Sequence, residues 1–138
     1  MSVGGLTKQE HEHGTVFAPK FDKDGLVASV VLDARSHEVL VLAFMNAESI
    51  AATRRTGNVT FWSRSRRKLW MKGETSGHVL KVERIFVDCD QDALVVYATP
   101  AGPTCHTGAR SCFYRELDLN APDDQALSAI ERGGCACA

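Results

Sequence analysis

Two seven-residue runs of strand-forming residues, 26–32 (LVASVVL) and 39–45 (VLVLAFM), flank the polar tetrapeptide Ala34-Arg35-Ser36-His37. β-Branched and large apolar side chains at this density, broken by a short polar loop, predict a β-hairpin. Asn46 then stands where a helix cap is needed, ahead of a predicted short helix over 47–55, and Gly57 stops it. Strand character resumes over 58–63, with Phe61 and Trp62. A basic turn over 64–68 leads to Leu69-Trp70-Met71, and GETSG over 73–77 is another turn. Residues 78–87 alternate, which predicts a strand with Val79, Lys81, Glu83, Ile85 and Val87 on one face. A further strand is predicted over 93–98. The stretch 99–110 (TPAGPTCHTGAR) holds too much Gly and Pro to be regular.

At 138 residues the chain suits a single domain spanning 1–138. Within it, 1–15 reads as a mobile polar arm, and 118–138 as a C-terminal helix (123–132) and tail. His11 and His13 in the arm are either metal donors or simply solvated, and Cys135 and Cys137 fall in a fraying tail. The predicted class is α+β: a strand-dominated mixed sheet with hairpins and short helices.

A formal net charge of −1 excludes a global basic field for nucleic acid or anionic membrane, so any anion binding is local. The longest apolar stretch, 39–45, is far short of the roughly 18 residues of a membrane span. The polar N-terminus lacks the apolar core of a secretory signal, which predicts a cytoplasmic location. In that reducing compartment the five cysteines are free, metal-bound or catalytic rather than disulfide-bonded.

Three segments carry chemistry. The first is Asp88-Cys89-Asp90-Gln91-Asp92. If extended, it places the aspartates on one face and Cys89 on the other. Crowded carboxylates repel unless a cation neutralises them, and oxygen-only donors suit Mg²⁺ or Ca²⁺. The calcium-loop pattern is absent, and a solvated acidic turn is the alternative. The second is Cys105-His106-Thr107-Gly108-Ala109-Arg110-Ser111-Cys112. Together with Cys89 it offers three thiolates, the count of a catalytic zinc that keeps one position open. Were His106 a fourth ligand, the site would be closed and structural, and buried free cysteines are the remaining alternative. The third, 61–78 (FWSRSRRKLWMKGETSGH), combines hydroxyls, arginine forks, lysines and two tryptophans. Arginine forks match phosphate oxygens and indole faces stack on bases. In so short a patch on a near-neutral chain, these favour a small phosphorylated nucleotide over an RNA polymer.

Taken with Leu42-Ala43-Phe44-Met45-Asn46, these segments resemble the phosphoribosyl-AMP cyclohydrolase family of histidine biosynthesis. The resemblance rests on 61–66, 69–78, 88–92, 105–108 and 111–113, in that order, and extends over roughly 21–115. Phe44, Phe61 and Leu80 depart from residues common in the family (Tyr, Tyr and Gln). The chain's length matches a monofunctional form without the pyrophosphohydrolase domain that some members carry. The resemblance implies hydrolytic opening of the adenine ring of N1-(5-phosphoribosyl)-AMP between N1 and C6. The product is the phosphoribosyl-formimino carboxamide imidazole nucleotide. It implies zinc on Cys89, Cys105 and Cys112, Mg²⁺ on Asp88, Asp90 and Asp92, and an intertwined homodimer with sites shared between subunits. His106 and His78 are then the candidates for proton transfer. Trp62, Ser63, Arg64, Ser65, Arg66, Trp70, Lys72, Glu74 and Ser76 are the candidates for substrate binding. Two other functions fit parts of the pattern: a structural zinc module on RNA, and a Mg²⁺-dependent phosphohydrolase that releases phosphate.

Overall fold

The computed structural model describes residues 5–130, so Cys135 and Cys137 lie outside the described residues. The first hairpin forms as its sequence predicts, from β1 (Val27–Asp33) and β2 (Val39–Met45). Its loop is closed by Asp33, whose carboxylate accepts from the amides of Arg35 and Ser36. The helix over Ala47–Thr56 also forms (α2, after a short α1 described below). Asn46 caps it reciprocally with Ser49, and Gly57 ends it in a left-handed conformation that costs a residue without Cβ little. β3 (Thr60–Ser63) pairs with β4 (Lys68–Met71) as a separate two-stranded ribbon.

β5 (Leu80–Val87) and β6 (Ala93–Pro100) complete a mixed sheet of order β2-β1-β6-β5. β1 and β6 run parallel and the other pairs are antiparallel. A parallel pair requires a crossover. Here the crossover contains β2, α2, the β3–β4 ribbon and β5. The core joins Val31, Leu40, Met45, Val96 and Ala98 of the sheet to Ile50 of α2, Val59 and Phe61. Fully buried Phe61 anchors the ribbon, with Trp70 beside it at 5.6 Å between ring centres. Among the described residues no helix is long and apolar enough to cross a membrane.

Two bulges change faces that simple alternation assigns. On β5 the pairing slips between Val82 and Arg84, leaving Glu83 as the extra residue. Leu80 and Val82 therefore face the core before the bulge and Ile85 after it, so the predicted single face 79-81-83-85-87 does not exist. On β2 the pairing slips from Val31↔Val41 to Leu32↔Val39, so Leu40 is the extra residue. The edge carbonyls of Val39 and Leu40 are thereby turned to a later part of the chain.

Both ends differ from expectation. The predicted helix over 123–132 is instead a single 3-10 turn, Asp123–Gln125, followed by β8 (Leu127–Ala129). β8 pairs with β7 (Arg115–Leu117), and the Asp118 amide bonds the Ala126 carbonyl at 2.8 Å. No side chain caps the turn at Pro122, and the ribbon takes up backbone groups that a helix would use. At the N-terminus the predicted mobile arm contains α1 (Lys8–His13), held by a capping box in which Thr7 and Glu10 bond each other's amides.

Candidate active site

Two recesses lined by the β3–β4 ribbon and its flanks share Arg66 and Trp70. The larger, about 700 Å³, is lined by Leu42, Ala43 and Phe44 of β2 together with Trp62, Ser63, Arg64 and Ser65. The Arg64 guanidinium lies 4.0 Å from the centre of the Phe44 ring, a cation–π contact. The ribbon's turn is tight: the Arg67 amide bonds the Ser63 carbonyl at 2.7 Å and Arg67 adopts φ 53°. This geometry presents the hydroxyls and guanidinium groups of 63–66 along one rim.

The smaller recess, about 400 Å³, is lined by Lys72, Gly73, Glu74, Thr75, Ser76 and His78 on one side. Pro103, Thr104, Cys105, His106 and Gly108 line the other. Of the predicted substrate residues, Glu74 has a structural occupation: its carboxylate accepts from the Met71 amide at 3.2 Å and closes the turn. His78 is hemmed in by Gly73 of the predicted turn, against its backbone carbonyl, and by Gly102, which sequence reasoning did not single out, against its ring. A Cβ at Gly102 would fall 2.5 Å from its ring Cδ2, and one at Gly73 would fall 2.3 Å from its carbonyl oxygen. Only glycine at 102 leaves room for the imidazole where it stands, and only glycine at 73 leaves room for the His78 backbone carbonyl.

The cysteine loop is fastened to β2 at its bulge. The Cys112 amide donates to the Leu40 carbonyl at 2.7 Å, and the Ser111 hydroxyl donates to that of Val39 at 2.6 Å. The Arg110 guanidinium pairs with the buried Glu38 carboxylate. Within the loop the Cys105 amide bonds the Ala109 carbonyl at 3.0 Å, and the Thr107 hydroxyl donates to the Cys105 sulfur at 3.1 Å. Burial works against the Cys105 thiolate, yet the hydroxyl and amide of Thr107, Cys112 and the Lys72 ammonium together hold its pKa below the usual thiol value. The Cys112 thiol is pushed up to about 11, first by burial and then by Cys105. Two adjacent thiols with opposed tendencies carry one negative charge readily and a second only beside a cation.

The aspartates do come together, although not by extended alternation. The segment is a tight turn between β5 and β6, in which Gln91 takes φ 60° and the Asp88 carboxylate accepts the amides of Asp92 and Ala93 at 2.9 and 3.1 Å. The carboxylates of Asp88, Asp90 and Asp92 lie within 4.8 Å of one another. Asp92 is pushed up to about 6 by sharing protons with Asp88 and Asp90. Asp88 is lowered: burial opposes its charge, but hydrogen bonds from Asp92 and the Ala93 and Asp92 amides outweigh it. This oxygen-only set fits a hard divalent cation, whose charge would relieve the crowding.

Cys89 sits exposed in the same acidic turn and does not join the other two cysteines. Among the described residues the three aspartates are the only group of three or more potential ligands gathered within one chain. Cys105 and Cys112 are thus a thiolate pair short of the three ligands typical of a catalytic zinc.

Comparison with known proteins agrees with these motifs. The profile of the phosphoribosyl-AMP cyclohydrolase family matches residues 41–114, the stretch from β2 through the cysteine loop. The phosphoribosyl-AMP cyclohydrolase of Erythrobacter litoralis is 58% identical over 119 residues, 86% of this chain and 95% of that one. The proteins of that name from Rhizorhabdus wittichii and Brucella anthropi are 55% and 53% identical, over 83% and 93% of this chain and 92% and 90% of their own. With both the matched profile and relatives of this identity covering nearly their full lengths, the chain belongs to the phosphoribosyl-AMP cyclohydrolase family.

Proposed function

We propose that this chain opens the adenine ring of N1-(5-phosphoribosyl)-AMP by adding water across the N1–C6 bond, a step of histidine biosynthesis. The observation that carries the reading is the convergence of the family-matched segments 42–44, 61–66, 69–78 and 105–108 on one paired recess. The substrate has a ribose phosphate at each end of the purine, and two recesses that share Trp70 and Arg66 suit such a two-ended ligand. Trp62 and Trp70 offer faces for the base, and Ser63, Ser65 and Ser76 offer hydroxyls. Arg64, Arg66 and Lys72 supply positive charge for the phosphates. His106 and His78 line the recess beside Cys105, where an imidazole can take a proton from the attacking water or return one at N1.

Zinc is assigned to Cys105, Cys112 and a Cys89, and its contribution when bound is to lower the pKa of a water to about 7, making hydroxide available at neutral pH. Mg²⁺ is assigned to Asp88, Asp90 and Asp92. The active unit is an intertwined homodimer. Supporting this, Cys89 of a chain lies apart from its own Cys105 and Cys112, so a second copy is the natural source of the third thiolate. The cytoplasm, which keeps such thiols reduced, is the matching compartment.

The test is incubation of the zinc-loaded protein with N1-(5-phosphoribosyl)-AMP, followed by ultraviolet absorbance and mass spectrometry. The expected product is heavier by one water and keeps both phosphates. Release of inorganic phosphate with the purine intact would overturn the reading in favour of a phosphohydrolase.

The glycines around His78 yield a sharper prediction. Gly102→Ala is expected to displace the imidazole and lower kcat/KM by about a hundredfold, the usual scale for a misplaced catalytic group. In a His78→Ala background the same change should cost almost nothing further, because the two act through one ring. Losses that simply multiply in the double variant would show that Gly102 acts elsewhere.

A further inference from the structure

We infer that Gln91 is the positioning residue of the Asp88–Asp90–Asp92 set, and that the segment from His11 to Lys20 is the frame against which it works. The inference rests on the cation reading proposed above and adds to it a residue whose side chain is not a ligand. Within the acidic turn, Gln91 alone is buried, at 7% exposure. Its carboxamide oxygen accepts from the Ala18 amide at 2.8 Å. Its carboxamide nitrogen donates to the carbonyls of His11 at 2.9 Å and Val16 at 3.2 Å. Its backbone carbonyl accepts from the Lys20 amide at 2.7 Å, and its backbone amide donates to Asp88 at 3.0 Å. Every polar group of the residue is thus engaged, across a sequence separation of 71 to 80 residues for the contacts with the N-terminal segment.

The backbone gives the reason this matters. Gln91 has φ 60°, a left-handed conformation that glycine adopts freely and a residue with a side chain rarely does. A turn needing only that conformation would be served better by glycine. A carboxamide that is fully bonded on both its ends supplies what glycine cannot, a fixed orientation of the turn relative to the body. Asp90 and Asp92 flank Gln91 directly, so the orientation of one peptide on either side sets where their carboxylates point. Without the clamp, the three carboxylates would spread to relieve their mutual repulsion when no cation is present.

The test is a calorimetric Mg²⁺ titration of the zinc-loaded, full-length protein, run beside the Mg²⁺ dependence of turnover. Gln91→Gly keeps the backbone conformation accessible and removes the side chain with its carboxamide. It is expected to bind Mg²⁺ about tenfold more weakly, the low end for loss of a group that orients metal ligands. Zinc content should be unchanged, and the rate should recover at saturating Mg²⁺. Gln91→Glu separates geometry from charge. It keeps an acceptor for Ala18 but sets a carboxylate against two carbonyls while adding negative charge near the cation. Weaker Mg²⁺ binding in this variant too supports positioning. Tighter binding would show that only local charge matters and would overturn the inference. Wild-type affinity in Gln91→Gly would overturn it as well, leaving the cation site standing. A flat titration of the wild-type protein would remove the cation reading and this inference with it.

Discussion

Alanine at Cys105 or Cys112 is expected to abolish turnover and strip bound zinc together, with residual kcat below about one part in a thousand. That loss corresponds to roughly 4 kcal/mol of transition-state stabilisation, the upper range for removing a principal electrostatic element of a site. Two thiolates hold zinc weakly where three hold it firmly. The fold should survive both changes. Cys112 is fixed to β2 through its backbone amide and through the neighbouring Ser111 and Arg110, none of which the substitution removes. Cys105 is one small side chain in a loop held by its own backbone bonds, so its removal should cost about 1 kcal/mol of stability. Cys89→Ala is the informative contrast. Its side chain is exposed in the single chain, so the stability of that chain should change by no more than about 0.5 kcal/mol, while zinc and turnover are lost as fully as in the other two. Thermal melts, zinc analysis and turnover on the same three preparations check this. Full zinc occupancy with normal turnover in any of them would remove that cysteine from the site.

Local signals carried much of the fold and the gathering of the aspartates. The first hairpin, the Asn46 cap, the Gly57 stop and the paired strands around Phe61 and Trp70 are short-range features. In each, the residues that define the element sit within a few positions of one another. That the three aspartates would come together was legible for a different reason: carboxylates alternating so closely cannot be kept far apart. The Thr7–Glu10 capping box of α1 was equally local and could have been read from its spacing.

What sequence reasoning missed depends on distant partners. The bulges at Leu40 and Glu83 leave no mark in composition, yet each inverts the face of everything after it. The segment after Asp118 has helix-compatible residues, and it became a ribbon because β7 was available to pair. The acidic cluster was expected from an extended strand and exists through a turn, because Gln91 is clamped by residues over seventy positions earlier. Gly102 looked like an ordinary loop residue until the imidazole against it was placed, and Gly73 like an ordinary turn residue until the His78 carbonyl against it was placed.

The zinc site proposed above takes Cys89 from one chain and Cys105 with Cys112 from the other. The most direct measurement is complementation between dead variants. Cys89→Ala and Cys105→Ala chains carrying different tags are co-expressed, and the mixed dimer is purified through both tags. Each homodimer is inactive because every one of its sites lacks a ligand. In the mixed dimer one site gathers both lesions, while the other joins the intact Cys89 of the second chain to the intact Cys105 and Cys112 of the first. One working site per mixed dimer is expected, with one zinc bound and about half the wild-type turnover per dimer, since rates of independent sites add. Mixed dimers that form but remain inactive and free of zinc would contradict it.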